Sequence, residues 1–161
     1  MIDFELEDPD GQRRRLSAFR GRPVVLVVAN KDSGEPAARF GVALAPALAS
    51  TDAALVSVAD AGGVPRLLRG LARGAIRAGL EKAKQDAAHE APELAPDVWD
   101  RFTLLLDWDG TALDALGLRG KTDHFHVLAL DRQGEERGRV VQGEAPQADQ
   151  IAKVAELVKS A

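Results

Sequence analysis

Two apolar, β-branched runs separated by one helix-forming stretch constrain the fold more than any other feature of this chain. Pro23–Ala29 and Ala53–Ala59 are apolar at nearly every position, which is typical of strands buried on both faces of a sheet. Glu35–Ser50 between them is rich in Ala and Leu and predicts a helix. Because a helix joins the two strands, they are expected to be parallel. The chain is therefore predicted to be an α/β protein with helices flanking a central sheet.

The two ends of the chain are predicted to add antiparallel strands, which makes the sheet mixed. Asp3–Glu7 and Gln12–Leu16 flank the turn Asp8–Gly11, in which Pro and Gly favour a tight reversal, and together they predict an N-terminal β-hairpin. Downstream, two further strands are predicted at Phe102–Leu106 and His124–Leu130, with a short helix, Thr111–Leu116, between them. A hairpin turn then leads to the returning strand Glu135–Gln142, and the amphipathic helix Ala148–Ser160 closes the chain.

Composition limits the classes of function. The chain has 161 residues and a mass of 17.1 kDa, which fits a single domain spanning residues 1–161. It has no long apolar run and no basic-then-apolar N-terminus, so we expect no membrane span, no secretory signal and a cytoplasmic location. A net charge of −4 argues against general nucleic-acid binding. The absence of cysteine excludes disulfides and thiolate metal sites, and no cofactor is expected.

Four stretches together resemble one known fold family. They are FELEDPDGQRRRLSAFRGRPVVL, the pair Lys31-Asp32, FTLLLDWDGTALDALGL and FHVLALDRQGEERGRVV. In this order they are similar to the thioredoxin fold in its peroxiredoxin and alkyl hydroperoxide reductase-like branch, the redoxins. The resemblance implies a thioredoxin-like mixed sheet with an N-terminal β-hairpin. It leaves residues 64–91 as a helical insertion between the two halves of the domain.

The resemblance also implies a reaction centre, and its reactive groups are missing here. Active relatives attack peroxide with a thiolate supported by Thr and Arg, because only a thiolate is both populated near neutral pH and strongly nucleophilic. Alignment on Lys31-Asp32 places Gly34 at the Thr and Ala37 at the reactive Cys, and Phe125 falls near the expected cis-Pro. We therefore expect no catalytic residue and no thiol peroxidase or disulfide oxidoreductase activity. The five residues of this stretch are named the vestigial redox loop: Ser33, Gly34, Glu35, Pro36 and Ala37.

A phosphatase is the alternative enzyme class. Asp107-Trp108-Asp109-Gly110-Thr111 follows an apolar strand and resembles the first motif of haloacid dehalogenase-type phosphatases. That resemblance implies that Asp107 attacks phosphorus, that Asp109 handles the proton and that Mg²⁺ bridges the carboxylates. The chain after Thr111 is too short for the rest of such a sheet. The competing interpretation is a strand, a turn and a helix that Asp107 caps.

Two histidines form the third constellation. His124 and His126 flank one residue of a predicted strand, so both imidazoles are expected on the same face. They could supply two ligands to zinc or copper, with Asp123 or His89 as a third. Two ligands are a weak signal, and surface histidines without a metal are the more common arrangement.

A basic stripe in the predicted insertion gives the last candidate site, formed by Arg66, Arg69, Arg73 and Arg77. It could bind an acidic partner, or it could be a solvated face that pairs with acids in the segment Asp86–Asp114. Gly70, Gly74 and Ala78 weaken the helix in water and suggest a packing reason, such as a homodimer contact. The leading expectation is a non-catalytic binding or regulatory module that acts through the vestigial redox loop or this helix.

Overall fold

The structure is a computed structural model that describes residues 1–90, 92, 99–142 and 147–161. The described strands are β1 (Glu5–Glu7), β2 (Arg13–Arg15), β3 (Val24–Ala29), β4 (Ala54–Asp60), β5 (Phe102–Asp107), β6 (Phe125–Leu130) and β7 (Glu136–Gln142). The described helices are α1 (Gly34–Leu48), α2 (Arg69–Glu90), α3 (Thr111–Leu116) and α4 (Ala148–Lys159). Short 3₁₀ turns cover Leu16–Phe19 and Arg66–Leu68. Within these ranges, no helix has the length and apolarity that crossing a bilayer requires.

All seven strands form one mixed sheet, in the order β2-β1-β5-β4-β3-β6-β7. Strands β3, β4 and β5 are mutually parallel, while the N-terminal hairpin and the β6–β7 hairpin pair antiparallel at the two sides. The parallel pair predicted from the two apolar runs is therefore confirmed, as is the mixed sheet. Parallel strands end at the same edge, so β3, β4 and β5 bring the residues that follow them together at one edge.

The sheet separates two aliphatic layers, as alternating side chains of a buried strand require. On one face, Phe40 of α1 is fully buried and meets Phe125 edge to face, with ring centroids 5.6 Å apart. This layer packs α1 and α4 against the alternate residues Val25, Val27, Ala29, Val127 and Ala129. On the other face, α3 and the N-terminal segment pack against Leu26, Val28, Val56, Val58 and Leu105. These two layers determine the shape of the sheet edge at which β3, β4 and β5 end.

Helix α2 connects β4 to the parallel strand β5, and it differs from the other helices because none of its residues is buried. Three leucines in the preceding 3₁₀ turn and the first turn of α2 lie in solvent: Leu67 is 98% exposed, Leu71 75% and Leu68 50%. Burial of an apolar face, the usual source of helix stability in proteins, therefore does not hold α2 in place. Whether residues 64–91 are an insertion relative to the redoxins stays a prediction, and Ala91 lies outside the described residues.

Candidate functional site

The vestigial redox loop lies where β3 ends and α1 begins. Ser33 is the N-cap residue of α1, Gly34 is its first residue, and Ala37 closes the first turn with a backbone bond to Ser33. Ser33 and Ala37 are buried. The loop is therefore at the edge where the parallel strands end, with Ala37 turned into the protein.

Hydrogen bonds within the protein engage the polar side chains around this loop. The Ser33 hydroxyl donates to the Thr122 carbonyl at 2.9 Å and accepts from the Asn30 N–H at 3.0 Å. The Thr122 hydroxyl donates to Asp60 at 2.7 Å, and Asp60 also accepts from the Gly62 N–H. These bonds tie the ends of β3 and β4 to the segment before β6. No partner of Ser33 in this network can take a proton from its hydroxyl, so Ser33 does not replace the missing thiol as a nucleophile.

Behind the loop, an apolar cavity of about 270 Å³ separates α1 from α2 over the surface of β4. Residues from the loop and α1, from strands β3 to β5 and from α2 line it, together with Trp99. They include Gly34, Ala37, Gly41, Leu80, Trp99 and Phe102. None of the described lining residues carries a charge. The cavity is thus suited to a neutral, apolar occupant.

Asp107 is a structural cap. Its carboxylate is fully buried and accepts three backbone N–H bonds, from Thr111 at 2.8 Å, Ala112 at 2.9 Å and Leu113 at 3.0 Å. Gly110 precedes the helix with φ +79°, where a Cβ would collide with the Arg119 guanidinium. The capping interpretation of this motif is confirmed.

Asp107 and Asp109, the two acids of the predicted phosphatase pair, therefore lie in different environments. Asp107 has no access to a substrate, because its side chain is enclosed and both of its oxygens are bonded to the start of α3. Asp109 faces solvent and pairs with Arg69 at 2.8 Å. A nucleophile must reach the phosphorus of the substrate, and the enclosed carboxylate of Asp107 cannot. The phosphatase interpretation is not supported.

The two histidines do not share one exposed face. His126 is 6% exposed, and its Nε2 lies 2.8 Å from the Lys121 carbonyl oxygen. His124 precedes β6 and is exposed, so the strand periodicity on which the prediction rested does not reach it. Among the residues described, no group of three or more His, Asp or Glu side chains is placed to hold a metal ion. The histidine metal site is not supported.

Three arginines of the basic stripe attach α2 to the rest of the protein. Arg69 pairs with Asp109, and its guanidinium carbon is 5.6 Å from the centre of the Trp108 ring. Arg73 pairs with Glu7 at 2.5 Å. Arg77 pairs with Asp10 at 3.2 Å and donates to the Pro9 carbonyl at 2.6 Å, whereas Arg66 is exposed. The stripe is paired mainly within the chain. Asp109 belongs to the predicted segment Asp86–Asp114, whereas Glu7 and Asp10 come from the N-terminal hairpin.

Glu7 is at the centre of this attachment, because Arg73 and the Trp108 indole N–H both donate to it. Burial raises the pKa of Glu7, but those two hydrogen bonds, together with the positive charges of Arg73 and Arg13, outweigh it and leave the pKa below its ordinary value of 4.5. A carboxyl with a lowered folded-state pKa stabilises the fold above its unfolded pKa, and the contribution is lost as the pH falls through the folded pKa.

We therefore expect acid to cost the wild type more stability than it costs Glu7→Gln. Urea unfolding followed by tryptophan fluorescence at about pH 6 and about pH 3 measures the difference. The pKa values of Asp52, Asp114 and Glu136 are also lowered by arginine partners, but both proteins share those contributions. Equal losses of unfolding free energy in the two proteins would contradict the assignment.

A parallel β3–β4–β5 core with antiparallel strands at both sides, and a loop at the end of β3 that opens α1, defines a thioredoxin-like fold. Solved structures share it over nearly the whole chain. One is a secreted disulfide oxidoreductase of Mycobacterium tuberculosis homologous to E. coli DsbE, with TM-score 0.62, 15% identity and coverage of 98% of this chain and 96% of that chain. Another is the peroxidoxin BcpB of Mycobacterium tuberculosis, with TM-score 0.60, 19% identity and coverage of 99% and 94%.

A third similar structure is the bacterioferritin comigratory protein of Xanthomonas campestris, with TM-score 0.59, 15% identity and coverage of 98% and 90%. No protein-family model matches the chain, and no curated protein sequence is significantly similar to it. At these identities the structural likeness establishes the fold, which agrees with the resemblance inferred from sequence. The chemistry of those proteins does not follow, since the present chain contains no cysteine.

Sequence reasoning missed the residues that line the cavity. Leu80 belongs to α2, whereas Trp99 and Phe102 lie three residues apart around the start of β5. No spacing rule in the sequence links either segment to Ala37.

Proposed function

We propose that this chain is a non-catalytic redoxin-like binding module whose ligand occupies the cavity behind the vestigial redox loop. The proposal treats residues 1–161 as a single domain in which the segment 64–91 is an insertion. Its main support is that Gly34 and Ala37, the positions to which the resemblance assigns reactive groups, instead line an apolar cavity of about 270 Å³.

The chemistry of the edge supports binding rather than turnover. Ser33 and Asp107 are committed to structural hydrogen bonds, so neither is available as a nucleophile. The cavity offers apolar surface, and transfer of a ligand's apolar surface from water contributes roughly 25 cal/mol per Å² buried. A neutral ligand binds without leaving a buried charge unpaired, because no described lining residue is charged.

The test uses tetralin, a neutral hydrocarbon, as the probe. Gly41 lines the cavity, and a Cβ built on it meets nothing within 4 Å, so the side chain of Gly41→Leu has room to enter. We expect the wild type to bind tetralin in calorimetry and Gly41→Leu to bind it at least about tenfold more weakly. The matched control is Gly79→Leu, since Gly79 is an exposed helical glycine with open space around it and does not line the cavity.

Two results would contradict the proposed function. The first is absence of tetralin binding to the wild type, or equal weakening by Gly41→Leu and Gly79→Leu. The second is peroxide consumption or disulfide reduction by the wild type above the buffer blank, because a binding module without thiols has no route to either reaction. Both assays use the full chain, so they apply to the same preparation.

Self-association through the start of α2 is the second candidate function. Leu67, Leu68 and Leu71 are exposed there, next to Arg66, and a Cβ at Gly70 would meet no described atom within 4 Å. Apolar side chains exposed together are typical of interaction sites. Partner binding through the basic stripe itself is less favoured, because Arg69, Arg73 and Arg77 are already paired.

For this second candidate, we expect sedimentation velocity to show a concentration-dependent dimer that Leu67→Lys weakens at least about tenfold. Val42→Lys is the matched control, because Val42 is 47% exposed and lies on α1 rather than on α2. A monomer throughout the micromolar range, or a dimer that both variants weaken equally, would exclude this surface.

A further inference from the structure

Helix α2 forms one wall of the cavity, although none of its residues is buried. Leu80 and Ala83 of α2 line the cavity, and most of the other lining residues belong to α1 and to strands β3, β4 and β5. Leu80 is half-buried and Ala83 is exposed. The surface of β4 beneath the cavity therefore stays covered on this side as long as α2 remains in place.

Ion pairs hold this wall against the rest of the protein. The three arginines of the stripe that pair within the chain recur every four residues and so share one face of α2: Arg69, Arg73 and Arg77. Leu80 follows three residues after Arg77 and belongs to the same face. Because exposed ion pairs contribute little, the mostly enclosed pair of Arg73 and Glu7 is expected to contribute most. The position of Leu80 at the cavity wall therefore depends on charged contacts.

An apolar molecule in the cavity gives α2 the apolar contact that it lacks. Such a molecule covers Leu80 and Ala83 on one side and β4 on the other, and removal of apolar surface from water is favourable. Ligand binding and attachment of α2 then stabilise each other, because coupling between two equilibria is reciprocal. The apparent affinity for the ligand falls with the fraction of molecules in which α2 is attached.

We infer that α2 is a lid on the cavity and that the ion pair between Arg73 and Glu7 holds it closed, so that charges remote from the ligand control the affinity for a neutral, apolar molecule. The inference rests on the proposed function, to which it adds the regulation of the same site. Arg73 and Glu7 are positioning residues, since neither lines the cavity. A change of charge at either residue alters binding without altering the lining.

The test compares the affinity of tetralin for the wild type and for Arg73→Glu, measured by calorimetry on the full chain. Arg73→Glu places two carboxylates in contact and lowers the fraction of molecules with α2 attached. We expect the variant to bind tetralin at least about fivefold more weakly than the wild type. A residue that acted only through direct contact with the ligand would give no such effect from outside the cavity.

Two controls separate the lid from general effects of charge and stability. Arg66→Glu makes the same change of charge at an exposed position of the stripe. Asp107→Asn weakens the cap of α3 without touching the ion pairs of α2 or the cavity lining. We expect both controls to bind tetralin within about twofold of the wild type, a difference too small to indicate a lost interaction.

A second measurement uses the wild type alone and does not depend on the folding of any variant. Hydrogen exchange is followed with and without saturating tetralin. We expect tetralin to slow exchange of the amides of Arg69–Glu90 at least about threefold more than that of the amides of α4, which does not line the cavity.

The outcomes distinguish this inference from the proposed function. If tetralin binds the wild type and Arg73→Glu equally, or slows exchange in α2 no more than in α4, the inference is overturned and the binding module stands. Weakening by Arg66→Glu or Asp107→Asn equal to that by Arg73→Glu also overturns it. If tetralin does not bind the wild type, the inference and the proposed function fail together.

Discussion

Replacing Asp107 by Ala is expected to lower the free energy of unfolding by about 3 kcal/mol, the largest effect of any polar substitution considered for this chain. The carboxylate is fully enclosed, and it is the acceptor for three N–H groups at the start of α3. Removing it leaves those donors buried without an acceptor. Asp107→Asn keeps one acceptor oxygen and is expected to cost about half as much. Urea unfolding measures both variants.

The control for this prediction is Asp109→Asn, because Asp109 is the other acid of the same motif. Its side chain is 71% exposed, and its pair with Arg69 is open to solvent on one side, so we expect a loss of less than about 1 kcal/mol. Equal losses of unfolding free energy for Asp107→Ala and Asp109→Asn would contradict the capping role of Asp107. Magnesium-dependent hydrolysis of a phosphate ester that disappears in Asp107→Asn would restore the phosphatase interpretation.

Reversing the charge of Arg73 is expected to release α2 from the sheet, at a cost of about 2 kcal/mol. Arg73 and Glu7 are mostly enclosed, with side chains 28% and 20% exposed, and Arg73→Glu would place two carboxylates in contact there. Because α2 has no buried residue, this loss has little apolar packing to oppose it. The effect should be concentrated in α2. Hydrogen exchange measures it, with the amides of Arg69–Glu90 exchanging faster than those of β3 and β6.

Arg66→Glu is the matched control, since Arg66 belongs to the same stripe but is exposed. We expect it to change the exchange of α2 by less than the experimental error. The sequence alone left open that the stripe binds an acidic partner. Because Arg73 is paired with Glu7 within the chain, Arg73→Glu is expected to act on the chain itself. Unchanged exchange in Arg73→Glu would contradict the anchoring role.

The fold was predictable because its signals are local. The apolar run Pro23–Ala29 predicted a strand buried on both faces, which is β3. The helix-forming stretch after it predicted the helix that connects β3 to the parallel strand β4. The short helix Thr111–Leu116 was predicted with the observed boundaries, and the Asp107 side chain that accepts from its first turn lies only four residues before it in the sequence. These features need no knowledge of distant contacts.

The site was less predictable, since its geometry depends on contacts between distant segments. The acids that pair with Arg73 and Arg77 are Glu7 and Asp10, nearly 70 residues away in the sequence. They lie beside α2 because β1 pairs with β5. The resemblance located Ala37 at the reactive position, but it could not show that this position opens on a cavity. The width of the gap between α1 and α2 is a property of tertiary packing.

The most direct test of the account places a single thiol at the position that lost it. Since the chain contains no cysteine, Ala37→Cys carries one thiol at the cavity wall, and Ala43→Cys carries one on the exposed side of the same helix. Each is labelled with neutral methyl methanethiosulfonate and with its anionic sulfonatoethyl analogue. We expect the neutral-to-anionic rate ratio to be at least about tenfold higher at position 37, and tetralin to slow labelling there alone. Equal ratios at the two positions, without protection by tetralin, would show that no apolar binding cavity lies behind the loop.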